Sequence, residues 1–185
     1  TSAIMGNDLS TLPDFPAEIR APAGSLAGVS SFQIHFSSQE IHTPGEKPDV
    51  LVAMNPAALK VHLKDLTPGG ALIINKNAFT NKNLKLAGYD SDPTEDGSLE
   101  DYYSTHFIEM SKMVELACEG IDLSPKLIDR TKNLCALGVL FWMYDRPLEP
   151  TIDWLNKKFK SKPDVVEANV RALNTGYNYG DTAEI

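Results

Sequence analysis

One stretch constrains this chain more than any other. From Val50 to Met54 the residues are all apolar, and the run stops abruptly at Asn55-Pro56. An amphipathic segment follows, then Leu66-Thr67-Pro68-Gly69-Gly70 and a second apolar run, Ala71-Leu72-Ile73-Ile74, closed by Asn75. Uninterrupted apolar runs of this length suit strands covered on both faces, as in a parallel sheet between helices. The spacing therefore predicts a strand, a helix and a strand over residues 49–75. In open α/β sheets ligands bind outside the carboxyl ends of the strands. Asn55 is thus both the expected N-cap of the helix and a candidate ligand contact.

The chain has 185 residues, enough for one α/β domain with a full core. A formal net charge of −8 argues against a broad electrostatic grip on nucleic acid, which needs clustered Lys and Arg. It leaves room for one local basic pocket. No apolar run approaches membrane-spanning length, so no membrane partner is expected. The two cysteines, Cys118 and Cys135, sit in apolar helical patterns and read as buried free thiols in a reducing compartment, the cytoplasm. Two thiolates fall short of the usual four that hold an iron–sulfur cluster, so any cluster serving this protein is expected on another chain or domain. Thr1 to Gly6 reads as the end of a small-residue helix, which suggests a fragment of a longer polypeptide.

Elsewhere the pattern is coarser. Residues 7–28, rich in Pro, Ala and Gly, read as an ordered loop. Val29 to Phe36 alternates, with Phe32, Ile34 and Phe36 on one face and Gln33 and His35 on the other, which predicts a half-buried strand. Pro44-Gly45 marks a turn. Residues 76–104 are less regular, and the acidic run Asp90–Gly97 reads as a solvated surface loop without the spacing of a calcium-binding EF-hand. A short strand at 105–110 precedes a helix from Ser111. Ser124-Pro125 opens a helix expected to run through Trp142, buried on most sides, with Gly138 permitting close packing. Thr151 to Phe159 reads as an amphipathic helix with Ile152 and Leu155 inward and Lys157 and Lys158 outward. Pro163 opens a last helix ending near Asn174–Gly176, with Tyr177-Asn178-Tyr179-Gly180 as an aperiodic tail.

No catalytic apparatus emerges from these patterns. His35, His42, His62 and His106 share no metal-ligand spacing, and His62 is expected to face solvent. A nucleophile elbow and the glycine loops that cradle phosphates are both missing from the sequence. What stands out is FPAEIRAPAG, residues 15–24, where prolines stiffen the backbone around Glu18 and Arg20. Two readings stay open there. Arg20 can present a bidentate fork to a phosphate or carboxylate, or it can simply pair with Glu18.

FPAEIRAPAG (15–24), LAGVS (26–30), DVLVAMNPAAL (49–59), LTPGGALIIN (66–75), NLCALG (133–138) and RALNTGYNYG (171–180) together resemble the γ-type domain of 2-oxoacid:ferredoxin oxidoreductases. The likeness is strongest to the γ domain fused at the N-terminus of the α subunit in two-subunit 2-oxoglutarate-type enzymes. It implies a three-layer α/β/α domain with a mostly parallel or mixed sheet and a helical C-terminal part. It also implies a part in oxidative decarboxylation of a 2-oxoacid, with acyl transfer to coenzyme A and electrons passing to ferredoxin. Thiamine diphosphate, magnesium and the iron–sulfur cluster are then held by other portions of the enzyme, and this domain by coenzyme A contact completes the active site. The implied partners are the remaining α portion and the β subunit. Glu18 and Arg20 match the Glu and Arg of the family's Glu-x-Arg-Gly-Gly stretch, whose glycines are Ala21 and Pro22 here. The coenzyme A contacts so implied are Arg20, Met54 as an apolar wall and Asn55 as a polar anchor. Relative to the family pattern, the chain starts after a glycine-rich strand–turn–helix and stops before the α portion. Two competing readings are a methyltransferase-like or dinucleotide-binding enzyme, and a non-catalytic assembly module using Glu18, Tyr177 and Tyr179 as protein contacts.

Overall fold

A computed structural model describes residues 6–15, 21–22, 24–43, 45 and 47–185. The chain forms two compact units, one reaching to Ile108 and the other spanning Glu109–Ile185.

The first unit is α/β. Strands β3 (Val50–Ala53), β4 (Ala71–Asn75) and β5 (Ser104–Ile108) make a three-stranded sheet in the order β3-β4-β5, parallel throughout. The expected strand–helix–strand is observed, with α1 (Pro56–His62) between β3 and β4. Asn55 caps α1 by accepting a hydrogen bond from Ala58 N at 2.9 Å, and Pro56 occupies the first turn, where its missing N–H costs nothing. Leu72 and Ile74 of β4 are fully buried in a cluster with Leu59 of α1, Leu84 of α2 (Asn81–Leu86) and Leu99. Ile73, on the opposite face of the strand, is fully buried too, which explains why β4 shows no polar alternation.

Two strands stand apart from this sheet. Residues 7–28 are not a loop throughout: β1 (Asp8–Asp14) pairs antiparallel with β2 (Ser31–Ser37), and Leu26–Gly28 forms a turn of 3-10 helix. Pro13 lies inside β1, a position open only to a strand with a free side, and it masks the strand pattern in the sequence. The two faces of β2 alternate as expected, and the apolar one is the more open. Phe32 and Ile34 are 61% and 52% exposed, whereas Gln33 and His35 are partly covered. Gly45 adopts φ +83, as a turn requires, and its carbonyl accepts from Gln33 Nε2; Pro44 lies outside the described residues.

The second unit is helical: α3 (Met110–Ala117), α4 (Pro125–Arg130), α5 (Lys132–Met143), α6 (Glu149–Lys158) and α7 (Pro163–Ala183). The helix expected from Ser124 through Trp142 is two helices meeting at Thr131, whose hydroxyl donates to Ile128 O at 2.7 Å. The last helix does not end at Gly176. It continues through Tyr177 and Tyr179, both half-buried, to Ala183. The reason is backbone contact between α5 and α7. A Cβ on Gly176 would lie 1.9 Å from Cys135 O, and one on Gly138 would lie 2.1 Å from Leu173 O. Only glycine lets the two helices approach so closely. Trp142 Nε1 donates to the Asp181 carboxylate at 3.2 Å, tying the far end of α7 to α5.

Candidate functional site at the carboxyl ends of the parallel strands

The chemistry-bearing residues of the first unit gather where β3 and β4 end. Met54 and Asn55 follow β3 directly, and both are half-buried. The Oδ1 of Asn55 is engaged with Ala58 N, so the cap fixes the side chain and leaves its amide nitrogen for other work. At the end of β4, Asn75 is fully buried, and neither its Oδ1 nor its Nδ2 has a hydrogen-bond partner. Unsatisfied buried amides are rare because each unmade bond leaves the full desolvation penalty in place. Sequence patterning did not single out Asn75 as a site residue. The available signal was that it closes its apolar run just as Asn55 closes the other.

The next residue, Lys76, is clamped. Its ammonium donates to Thr94 Oγ1, lies 3.4 Å from Asp92 Oδ2 and 3.7 Å from Glu95 Oε1, and sits 6.0 Å from the centre of the Phe107 ring. Asp92 also accepts from Thr94 N at 2.9 Å and from Thr94 Oγ1 at 2.6 Å. Burial alone pushes the Asp92 carboxyl up. The Thr94 hydrogen bonds and the Lys76 charge outweigh it and hold the group below the ordinary 3.8. The acidic run is therefore more than a solvated loop: Thr94 within it is buried, and its second acid grips the end of the central strand.

Other expectations about polar residues fare differently. His62 does not face solvent. Its side chain is 15% exposed, Nδ1 lies 3.2 Å from Asp65 Oδ2, and Nε2 is buried without a partner. A cavity of about 250 Å³ lies beside it, lined by Leu12, Asp14, Ser31 and Gln33 of the hairpin together with Asp65. A larger open groove of about 920 Å³ runs along α6 and α7. Neither includes Met54, Asn55, Asn75 or Lys76. Glu18 and Arg20 lie outside the described residues. Tyr177 and Tyr179 belong to α7 in the second unit.

Among the described residues, no three His, Cys, Asp or Glu side chains converge so that they could hold a metal ion. Cys118 and Cys135 are buried, and burial pushes both thiols up, Cys135 to about 11. Such thiols are inert as nucleophiles and poor as thiolate ligands. No helix among the described residues is long and apolar enough to cross a membrane. The strand ends thus offer amide donors and acceptors, an apolar methionine and one ammonium. Chemically, such a set is suited to holding a polar ligand rather than to making or breaking bonds.

Comparison with known proteins decides the family. The profile described as pyruvate ferredoxin/flavodoxin oxidoreductase matches residues 1–179. The chain belongs to that family. It is 51% identical over 183 residues to the 2-oxoglutarate oxidoreductase subunit KorA of Mycobacterium tuberculosis, covering 99% of this chain and 28% of that protein. The chain therefore spans little more than a quarter of this curated relative. Among solved structures it resembles the 2-oxoglutarate:ferredoxin oxidoreductase of Magnetococcus marinus, determined with 2-oxoglutarate, coenzyme A and succinyl-CoA bound. There the TM-score is 0.67 and the identity 22%, over 98% of this chain and 27% of that one. It also resembles the γ subunit of a keto/oxoacid ferredoxin oxidoreductase from Geobacter sulfurreducens, with a TM-score of 0.59 and 16% identity over 98% of this chain and 85% of that one. At these identities the solved structures establish a shared fold.

Proposed function

We propose that this chain is the γ-type domain of a 2-oxoacid:ferredoxin oxidoreductase that converts 2-oxoglutarate to its acyl-coenzyme A and passes electrons to ferredoxin. The observation that carries this reading is the 51% identity to a 2-oxoglutarate oxidoreductase subunit across 99% of the chain. The strand-end chemistry is in keeping with it. Coenzyme A, when bound, supplies the thiol that accepts the acyl group. In this chain Met54 would form an apolar wall for it and the Asn55 amide a polar anchor, with Arg20 meeting phosphate charge. A half-buried methionine beside a helix-capping, conformationally fixed asparagine fits such a molecule, which has both apolar and amide segments.

The two buried cysteines do not fit the ligand set of an iron–sulfur cluster, so the cluster belongs to another portion of the enzyme, and this reading assigns thiamine diphosphate and magnesium there as well. The chain acts as one domain of a longer assembly in the cytoplasm. Its partners there are the remaining α portion and the β subunit, and Glu18, Tyr177 and Tyr179 are contact residues.

The test uses the parent enzyme, purified anaerobically with whatever copurifies. Reduction of a viologen dye by 2-oxoglutarate is measured with and without coenzyme A. Strict dependence on coenzyme A supports the reading. A preparation that holds iron and thiamine but is inactive with 2-oxoglutarate would reassign the substrate. A preparation with neither would overturn the enzyme class.

A further inference from the structure

The acidic run Asp90–Gly97 has no part in the function proposed so far, yet it holds the one lysine at the end of the central strand. We infer that Lys76 is a binding residue for a phosphate of coenzyme A, and that the loop carrying Asp92 and Glu95 is a competing lid that must release the ammonium before the phosphate can take it. This inference rests on the coenzyme A reading above.

Three observations lead to it. The first is position: Lys76 directly follows β4, the middle strand of a parallel sheet, at the edge where such sheets receive ligands. The residue before it, Asn75, is buried with both amide atoms unpartnered, so this strand end carries unused hydrogen-bonding capacity beside the cation. The second is charge. Against one ammonium stand two carboxylates, those of Asp92 and Glu95, so the closed cluster is net negative and repels an incoming anion. Once they withdraw, the same ammonium is a point charge suited to phosphate.

The third observation is that the loop does not need Lys76 for its shape. Asp92 is satisfied by Thr94 N and Oγ1, Asp96 by Ser98 N and Oγ, and Leu99 is buried while its carbonyl accepts from Tyr103 N at 2.9 Å. The Glu95 side chain is 73% exposed, and the Lys76 side chain 32%. The Lys76–Glu95 pair, so open to water, is weak and exchanges readily, whereas Asp92, at 13% exposure, has its two Thr94 hydrogen bonds besides the ammonium. A contact that the loop can spare, around a cation at a ligand-binding edge, has the properties of a displaceable clamp.

The experiment uses the full enzyme. Apparent KM values for coenzyme A and for the 2-oxoacid are measured for the wild type, for D92N/E95Q, and for D92N/E95Q carrying K76A or K76R. Removing the two competing charges is expected to lower the KM for coenzyme A about three- to tenfold, since the ammonium no longer has to leave a carboxylate to meet the phosphate, with the 2-oxoacid KM unmoved. K76A should abolish that gain, and K76R should retain part of it. A gain in affinity cannot arise from misfolding, so the double variant keeps the test decisive even where K76A is unstable. An unchanged or raised KM for coenzyme A in D92N/E95Q, or a gain that survives K76A, overturns the inference. A wild type that turns over without coenzyme A defeats the underlying reading and this inference with it. Coenzyme A dependence with unmoved variants defeats the inference alone.

Discussion

The first unit contains two strand systems that treat their apolar residues in opposite ways. In β3-β4-β5, Leu72 and Ile74 close on the unit's own helices α1 and α2, and Ile73, on the opposite face, is fully buried too. In the β1–β2 hairpin the apolar face carries Leu9 with Phe32 and Ile34, at 40%, 61% and 52% exposure. Its other face, with Ser31, Gln33 and Asp14, lines a cavity beside His62 and Asp65 at the end of α1. The sheet is finished by contacts within the chain, whereas the hairpin meets the chain with its polar side. A two-stranded ribbon is marginal unless something packs on it. The contrast separates residues that hold this fold together from residues whose value lies outside the described contacts.

The widest gap between the two systems should appear in Ile74→Ala. Ile74 is fully buried within the main cluster, so truncation removes transfer free energy and leaves a cavity. The expected cost is about 2–5 kcal/mol, read as a lower midpoint in urea with an unchanged slope. A loss below about 1 kcal/mol would mean that the sheet core is as loosely held as the hairpin.

Asn55 offers a finer test, because it serves the fold and is proposed to serve a ligand. Replacing it with Ala removes the bond to Ala58 N and should cost about 1 kcal/mol, as loss of an N-cap does. Asp caps as well as Asn, so Asn55→Asp should restore the stability. It also replaces the amide nitrogen, a donor, with a second acceptor and adds negative charge near a phosphorylated ligand. In the parent enzyme Asn55→Asp should therefore raise the KM for coenzyme A while Tm stays near that of the wild type. Unchanged KM in Asn55→Asp would leave Asn55 as a cap and no more.

How much of this was legible in the sequence depends on the range of the interactions. The unit from Asp49 to Asn75 was readable because strand burial, the Asn55-Pro56 cap and the Pro68-Gly69-Gly70 turn are local signals that agree. The break at Thr131 was not, since Asp129-Arg130-Thr131-Lys132 carries neither Gly nor Pro. The continuation of α7 through Tyr177 was hidden because Gly176 and Gly180 look like helix stops. Their role becomes visible only when Cys135 and Trp142 are seen against them. The Lys76 clamp joins residues 16–18 positions apart, beyond any local pattern. For β2 the alternation correctly separated two faces, but alternation is silent on which of them the rest of the chain covers.

The smallest expected effect falls on that face. Phe32→Thr removes a large apolar side chain from a strand and puts a β-branched residue in its place, and both residue types favour strands, so intrinsic strand preference is preserved. Phe32 is 61% exposed, and its register partner across the ribbon is Pro13, so little packing is lost. The change in unfolding free energy should stay within about 0.5 kcal/mol. The substitution also shrinks an exposed apolar patch, and such patches promote self-association. Light scattering of the concentrated variant should therefore fall relative to the wild type even though the urea midpoint does not move. A destabilisation near that of Ile74→Ala would show that Phe32 is packed in the isolated chain and would erase the distinction between the two strand systems. A neutral midpoint with reduced scattering would show that this face contributes its apolar area to contacts outside the fold.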